Sequence, residues 1–423
     1  MKRSIRLVLT IALVAVATAG LFRADTFAGT AGLIAYVTHP DDDLVSVVDT
    51  ATTSLVASIP VGDAPFGVTV SPDGSRAYVA NASSDDVSVI DTATNSVVAT
   101  VPVCDRPLEV AVSPDGSAAY TACTFSRDVA VIDTSNNTLA ATIFVGAFPY
   151  GIAITPDGAF VYVTKRSWGA HDAVVIDTAT NTVVASVSPG SGFPFGIDIT
   201  PGGAKVYISN QGTARVSVID TGANVELVSL ALDAQPSAGI SVTPDGGSVY
   251  VSIPSLSEVV VINTTTDQIS QTVSLSASPG LGLAITSAGD QVYVAMPGEL
   301  ALGVIDTATN TQTGTIPLTL APGSIALLSA ASPEPEEAIA ELKEHVAKLL
   351  NEHAMNQGQP NALTPKLDAA IASLGRGNEK AAVNQLGAFI NQVQALVHAG
   401  TLSSAQGDAL IESAEAAVEQ LIS

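Results

Sequence analysis

Two carboxylates occupy positions where neighbouring copies of an internal repeat carry small residues. Glu109 stands at the position of Gly67, and Asp198 stands at the position of Thr69. Paired carboxylates can exchange protons in general acid–base catalysis, or they can hold a cation such as calcium. The two residues lie two copies apart and differ by one step along the strand. The sequence therefore leaves open whether their side chains meet.

One loop differs from its counterparts in length and composition. Residues 165–172 (KRSWGAHD) exceed the equivalent residues 81–86 in length, and they contain Lys165, Arg166, Trp168 and His171. Loops on a rigid scaffold often carry function, and tryptophan and arginine are favoured at binding hot spots. The loop is predicted either to bind a ligand or partner or to be a variable surface loop.

An aromatic residue stands between proline and glycine at residues 65–67, 149–151 and 194–196. We expect Phe66, Tyr150 and Phe195 to surround the mouth of a central channel. They either pack between repeats or offer a platform on which an apolar ligand or a sugar stacks. The candidate ligand-binding residues on this channel face are Phe66, Arg106, Glu109, Tyr150, Lys165, Arg166, Trp168, His171, Phe195 and Asp198.

The chain has two cysteines, Cys104 and Cys123. A hairpin at residues 113–117 brings position 123 opposite positions 108–109, close to Cys104. In an oxidising compartment the pair is predicted to form a disulfide, and a free thiol pair is the alternative. No metal-ligand spacing of the HExxH type joins the histidines, so neither a metal site nor a cofactor is predicted.

The elements that position these residues follow from a repeat. Tyrosines at 36, 78, 120, 162, 207, 250 and 293 are separated by 42, 42, 42, 45, 43 and 43 residues. Each copy holds four short strands separated by turn signals. A four-stranded sheet with two apolar faces buries both when copies stack radially. The period predicts an all-β seven-bladed β-propeller over residues 32–330, followed by a small all-α helical bundle.

The phase of the repeat predicts how the ring closes. The first strand-like run, residues 33–38, has the phase of a second strand, and the last, residues 324–329, has the phase of an innermost strand. The two runs should pair and complete one blade from both ends of the chain. Such closure removes an exposed sheet edge.

The phrase VIDTATN recurs at residues 89–95, 175–181 and 304–310. Its aspartate can accept backbone N–H bonds two or three residues on, and its asparagine tolerates a left-handed conformation. We therefore interpret it as a hairpin turn between the third and fourth strands. Residues 71–74 (SPDG) form a second turn, in which proline presets φ and glycine supplies a positive φ.

Residues 78–81 (YVAN), 89–92 (VIDT) and 113–116 (SPDG) resemble the YVTN-type β-propeller repeats of exported bacterial and archaeal proteins. The resemblance covers residues 32–330 and strongly implies a β-propeller fold. It implies either a binding or scaffolding propeller or, more distantly, a lactonase-like seven-bladed enzyme. Quinone-cofactor propellers depend on repeated tryptophan motifs, and this chain has one tryptophan.

The hydrophobic period changes from 2 to 3.6 after a linker at residues 331–337. Four short-linked helices are predicted in residues 338–423, the second starting at Thr364 and Pro365 and the third capped by Asn378. Residues 384–397 are similar to the helical FIMAH domain of exported bacterial proteins. That resemblance implies a modular, secreted protein and no reaction.

The N-terminus is predicted to be a signal peptide, residues 1–28, cleaved near residue 19 or 28. Lys2, Arg3 and Arg6 precede an apolar run at residues 7–19, which is too short to span a bilayer. No later stretch predicts a transmembrane helix. The expected location is extracellular, on the cell surface or periplasmic.

The charge and the missing catalytic motifs favour a binding role. A formal net charge of −24 argues against a nucleic-acid partner, which requires a basic surface. The expected function is non-catalytic binding of a protein or of a small or saccharide ligand on the channel face, or scaffolding. The alternative is a lactonase-like or other metal-dependent hydrolytic propeller that uses Glu109 and Asp198.

Overall fold

The computed structural model describes residues 33–166, 173–188, 192–328, 360–374 and 379–399, and single residues at 339, 342, 343, 346, 402, 410, 411, 414 and 418. The predicted signal peptide and the linker at residues 331–337 lie outside the described residues, as do Trp168, His171 and Asn378. Among the helices of the described residues, none is both long enough and apolar enough to cross a membrane.

Twenty-eight strands in the described part of the chain form seven antiparallel four-stranded sheets, which confirms the seven-bladed propeller. Blade 1 combines both ends of the propeller chain: β1 (Ile34–His39), β2 (Leu44–Asp49), β3 (Ser54–Pro60) and β28 (Ile325–Leu328). Blades 2 and 3 contain β4 (Pro65–Val70), β5 (Arg76–Asn81), β6 (Asp86–Asp91), β7 (Ser96–Pro102), β8 (Pro107–Val112), β9 (Ala118–Cys123), β10 (Asp128–Asp133) and β11 (Thr138–Phe144).

The four remaining blades repeat the same order from the innermost strand outwards. Blades 4 and 5 contain β12 (Pro149–Ile154), β13 (Phe160–Lys165), β14 (Ala173–Asp177), β15 (Thr182–Val187), β16 (Pro194–Ile199), β17 (Lys205–Asn210), β18 (Arg215–Asp220) and β19 (Val225–Ala231). Blades 6 and 7 contain β20 (Ile240–Val242), β21 (Ser248–Ile253), β22 (Glu258–Asn263), β23 (Gln268–Ser274), β24 (Leu283–Ile285), β25 (Gln291–Met296), β26 (Ala301–Asp306) and β27 (Thr311–Pro317).

The ring closes as the phase of the repeat predicts. Strand β28 lies antiparallel beside β1, with Ile34 opposite Leu328 and Val37 opposite Ile325. The backbone N–H of Thr38 also donates to the carbonyl of Ser324 at 3.1 Å. The innermost strand of blade 1 therefore comes from the end of the propeller sequence, and its other three strands come from the beginning.

The recurring phrase joins neighbouring blades as well as turning the chain. In blade 2 the Asp91 carboxylate accepts a hydrogen bond from the Thr94 N–H at 2.9 Å. Asn95 adopts a left-handed φ of 50°. Its side-chain oxygen accepts a hydrogen bond at 2.8 Å from the hydroxyl of Tyr36 in blade 1. The repeated tyrosine and the repeated asparagine thus serve one contact between blades.

The hydrophobic core lies between blades. One buried cluster packs Tyr36, Val45 and Ile59 of blade 1 against Val79 and Ile90 of blade 2, and equivalent clusters follow around the ring. The inner three strands of a blade are apolar, since each sheet buries both faces in this way. The outermost strand of each blade is largely exposed.

The C-terminal region is helical where it is described. Helix α1 (Pro360–Leu374) begins four residues earlier than predicted, since Pro360 itself suits a first turn, and Pro365 lies inside the helix. Helix α2 (Glu379–His398) contributes Leu386, Phe389 and Val393 to a buried core that also includes Leu367. The first and fourth predicted helices lie largely outside the described residues.

Candidate functional site

The loops that enter the innermost strands position the candidate site. In each of three successive blades, the residue directly before the first proline of the strand has a left-handed φ: 59° at Arg106, 31° at Phe148 and 49° at Phe193. This conformation is uncommon for residues other than glycine. The Arg106 N–H donates to the carboxylate of Asp85 in the preceding blade at 2.9 Å, which fixes the loop.

These loops surround a cavity of about 610 Å³ on one face of the propeller, which we call the aromatic cavity. Ligand sites in proteins commonly have this size and this apolar lining with a few polar groups. The lining consists of five aromatic rings, two arginines and three smaller side chains: Phe66, Phe125, Phe148, Tyr150, Phe193, Arg106, Arg166, Leu108, Thr124 and Leu281.

The three aromatic residues predicted at the channel mouth contact one another beside this cavity. Tyr150 and Phe195 stack with ring centroids 4.1 Å apart, and Phe66 meets Tyr150 edge-on at 5.7 Å. Tyr150 and Phe195 are only 4% and 6% exposed. Burial, with the nearby Glu109 carboxylate as a smaller cause, raises the pKa of Tyr150 well above its usual value. Packing between blades is therefore a principal role of these two rings, whereas Phe66 is half-buried and also lines the cavity.

The sequence did not identify three aromatic residues of the cavity, Phe125, Phe148 and Phe193, or its smaller lining residues Leu108, Thr124 and Leu281. Phe125 and Phe148 are 52% and 42% exposed. Phe148 and Phe193 directly precede the prolines of the aromatic motifs. Their position next to these motifs could have identified them from the sequence. Phe125 comes from the loop between β9 and β10, and no motif marks it.

The two cavity arginines contact the faces of aromatic rings. The Arg106 guanidinium lies 4.8 Å from the centre of the Phe125 ring, and that of Arg166 lies 4.6 Å from the Phe195 ring. Arg166 donates through Nη2 to Gln211 at 3.2 Å, and its buried Nε has no hydrogen-bond partner among the described residues. Neither arginine forms an ion pair in the described part of the chain.

A disulfide lies directly behind this wall of the cavity. Cys104 and Cys123 are joined, with their Cα atoms 5.7 Å apart. Cys104 is two residues before Arg106, and Cys123 is two residues before Phe125. The cross-link therefore holds together the two loops that carry the stacked Arg106 and Phe125.

The two carboxylates have different surroundings. Glu109 lines a narrow central channel of about 160 Å³, and burial raises its pKa to about 7. Asp198 accepts hydrogen bonds from the N–H groups of Ile199 and Val242, both at 2.8 Å, and so connects blades 5 and 6. Burial raises the pKa of Asp198 to about 6 despite these bonds, which act in the opposite direction. A joint acid–base or cation-binding role stays a prediction.

Other predicted residues add little to the site. Lys165 ends β13, beside Arg166, and does not line the aromatic cavity. Trp168 and His171 lie outside the described residues. Within the described part of the chain, no three His, Cys, Asp or Glu side chains come together as the ligands of a metal ion would.

These features define the class: a seven-bladed β-propeller with an aromatic, cationic cavity on one face, followed by a helical region. Residues 6–191 match the family model of the YNCE-like β-propellers, and residues 339–419 match that of the FIMAH domain. The two matches confirm the resemblances that the repeats and the C-terminal helices carry. No functionally curated protein matches this chain.

Several solved structures share the propeller. Hydrazine synthase of Kuenenia stuttgartiensis is 23% identical with a TM-score of 0.59, covering 64% of this chain and 92% of that chain. A functionally unknown protein from Desulfotomaculum acetoxidans is 19% identical with a TM-score of 0.62, covering 70% and 98%. A putative 6-phosphogluconolactonase from Bacteroides uniformis is 15% identical with a TM-score of 0.61, covering 70% and 99%. Since all three are less than 25% identical to this chain, the likeness extends to the fold alone.

Proposed function

We propose that this protein is an exported, non-catalytic binding module that holds a small ring-bearing ligand in the aromatic cavity. The single observation that carries the proposal is the set of exposed rings around one cavity, with Phe125 and Phe148 half or nearly half accessible. Large aromatic side chains are costly to leave in water, and they contribute binding energy when a ligand covers them.

Export is supported by two independent features. The basic residues and apolar run at residues 1–19 have the composition of a signal peptide. The Cys104–Cys123 disulfide is typical of proteins that fold in oxidising compartments. We therefore propose an extracellular, cell-surface or periplasmic location.

The hydrolytic alternative has less support. It requires Glu109 and Asp198 to act together, yet both oxygens of Asp198 already accept backbone hydrogen bonds from Ile199 and Val242. These bonds leave Asp198 as a link between blades 5 and 6. A ligand that stacks on the rim rings requires neither carboxylate.

The test is a fluorescence titration of the purified protein with the neutral probe N-phenyl-1-naphthylamine. We expect saturable binding that Phe148→Ala weakens about tenfold, because the loss of a stacked ring removes roughly 1–1.5 kcal/mol. Phe144→Ala is the matched control, since Phe144 is 69% exposed at the end of β11 and does not line the cavity. This control should bind the probe as the unmodified protein does.

Two results would refute the proposal. The first is that the unmodified protein binds neither this probe nor its sulfonated analogue saturably. The second is an equal effect of Phe148→Ala and Phe144→Ala, which would show that the probe adheres to exposed rings in general. Near-ultraviolet circular dichroism of each variant checks that the propeller remains folded.

A further inference from the structure

We propose that the ligand of the aromatic cavity is an anion, a flat ring that carries a carboxylate or a chemically similar acidic group, bound by Arg106 and Arg166. This inference rests on the proposed binding function and adds the chemical class of the ligand. It follows from the distribution of charge around the cavity and from the state of the two guanidinium groups.

Two other cations of the propeller have carboxylate partners, which these two arginines lack among the described residues. Arg76 forms an ion pair with Asp91 at 2.7 Å, and Lys205 forms one with Asp267 at 2.7 Å. Arg106 and Arg166 have no such partner in the described part of the chain, and none of the described residues that line the cavity is acidic. Guanidinium groups held without a carboxylate are available to one supplied by a ligand.

The protein's overall charge is strongly negative. The chain carries a formal net charge of −24, and residues 33–328 contain only seven lysines and arginines. Such a charge repels anions from most of the surface. Arg106 and Arg166 are a local exception, since neither has an ion-pair partner among the described residues and no acidic side chain is among the described residues of the cavity lining. A cavity for a neutral ligand has no need of them.

Arg166 is held against aromatic rings and has one donor without an acceptor among the described residues. Its guanidinium lies over Phe195 at 4.6 Å and over Tyr150 at 5.5 Å, and Gln211 accepts one of its hydrogen bonds. The Nε atom is buried and has no hydrogen-bond partner in the described residues. A buried donor without an acceptor is costly, and a small shift of the side chain that brought Nε to a ligand oxygen would remove that cost.

The loop that carries Arg106 is held in place before any ligand arrives. Asp85 binds the backbone N–H of Arg106, and the Cys104–Cys123 disulfide ties its loop to the loop of Phe125. A fixed cation reduces the ordering cost of binding. The neighbouring rings of Phe125 and Phe148 supply surfaces on which a flat ring can stack.

The test compares two probes that differ by one acidic group. 8-Anilino-1-naphthalenesulfonate has the skeleton of N-phenyl-1-naphthylamine with an added sulfonate. We expect the anionic probe to bind at least about tenfold more tightly, as hydrogen bonds to a charged group contribute roughly 1.5–3 kcal/mol. A purely apolar cavity would give the reverse order, since the neutral probe is the less soluble in water.

Charge-removing variants locate the effect. Arg106→Gln and Arg166→Gln should each weaken the anionic probe about tenfold more than they weaken the neutral probe. Arg166→Lys retains the charge without the planar fork and serves if Arg166→Gln does not fold. Arg76→Gln is the control, because Arg76 begins β5 at the opposite end of the blade and its loss changes the net charge equally.

The possible results separate the two proposals. If the neutral probe binds as tightly as the anionic one, or if the cavity variants and Arg76→Gln act alike, the anionic ligand is refuted and the binding cavity stands. If neither probe binds saturably, the proposed function fails, and this inference fails with it. Selective loss of the anionic probe in the two cavity variants supports both.

Discussion

Replacing Glu109 by glutamine should stabilise the protein at alkaline pH. The carboxyl group lies in the central channel, its Oε2 atom faces Gly67, and burial raises its pKa from an ordinary value of 4.5 to about 7. Glutamine has nearly the same shape and carries no charge. The substitution therefore removes the cost of an ionised group in this channel and leaves the packing in place.

The magnitude follows from the pKa. Each unit of difference between the folded and unfolded states corresponds to about 1.4 kcal/mol, so a pKa of about 7 in place of 4.5 gives an upper limit of roughly 3 kcal/mol. The side chain retains some access to the channel, which lowers the expected gain to about 1–3 kcal/mol. Between pH 4.5 and 7 the folded protein holds a proton that the unfolded chain releases. Stability of the unmodified protein therefore falls as the pH rises through this window.

The assay is the free energy of unfolding in denaturant at several pH values. Glu109→Gln and the unmodified protein should agree near pH 4, where the carboxyl is protonated in the folded state, and should diverge towards about pH 8. Asp198 titrates in both proteins, so its contribution cancels in the difference. Asp41→Asn, at an exposed loop position, is the control and should show no such divergence. A constant difference across the pH range, or a less stable Glu109→Gln at about pH 8, would refute the reasoning.

Two further predictions concern the rigidity of the ring. Replacing Cys104 and Cys123 by serine should lower the free energy of unfolding by about 3 kcal/mol, because the disulfide closes a loop with a sequence separation of 19; an unchanged denaturation midpoint would contradict this. Gly196→Ala should cost about 1–3 kcal/mol, since the new methyl group meets the Ala238 carbonyl oxygen of the next blade. Gly314→Ala meets no atom within 4 Å and should be neutral or slightly stabilising, and equal thermal shifts in the two variants would disprove the close contact.

Much of the fold could be predicted because it is local and repeated. The spacing of tyrosines from Tyr36 to Tyr293 fixes the number of blades, and the phase of residues 33–38 and 324–329 fixes the closure. The turn at residues 91–95 depends on an aspartate and an asparagine that act within five residues of one another. The start of α1 was misplaced because Pro360 and Pro365 both suit a first turn.

The candidate site was only partly predictable. The sequence placed Phe66, Tyr150 and Phe195 on one face but could not say which rings would be covered by the next blade. In the structure, Tyr150 stacks against Phe195 of the next blade. The half-exposed ring of Phe125 comes from a loop without any motif. Burial of a ring depends on its neighbour in the adjacent blade, which is about one repeat away in the chain.

The sequence by itself determined the blade, since four short strands and their turns depend on contacts within about 42 residues. Only the tertiary structure decided the cavity, because radial stacking brings Arg106, Phe148 and Arg166 to one rim from successive blades. It also decided that Glu109 faces the channel and that Asp198 links two blades. The reason is that charge, burial and aromatic contact are properties of neighbours in space, and in a closed ring those neighbours come from different repeats.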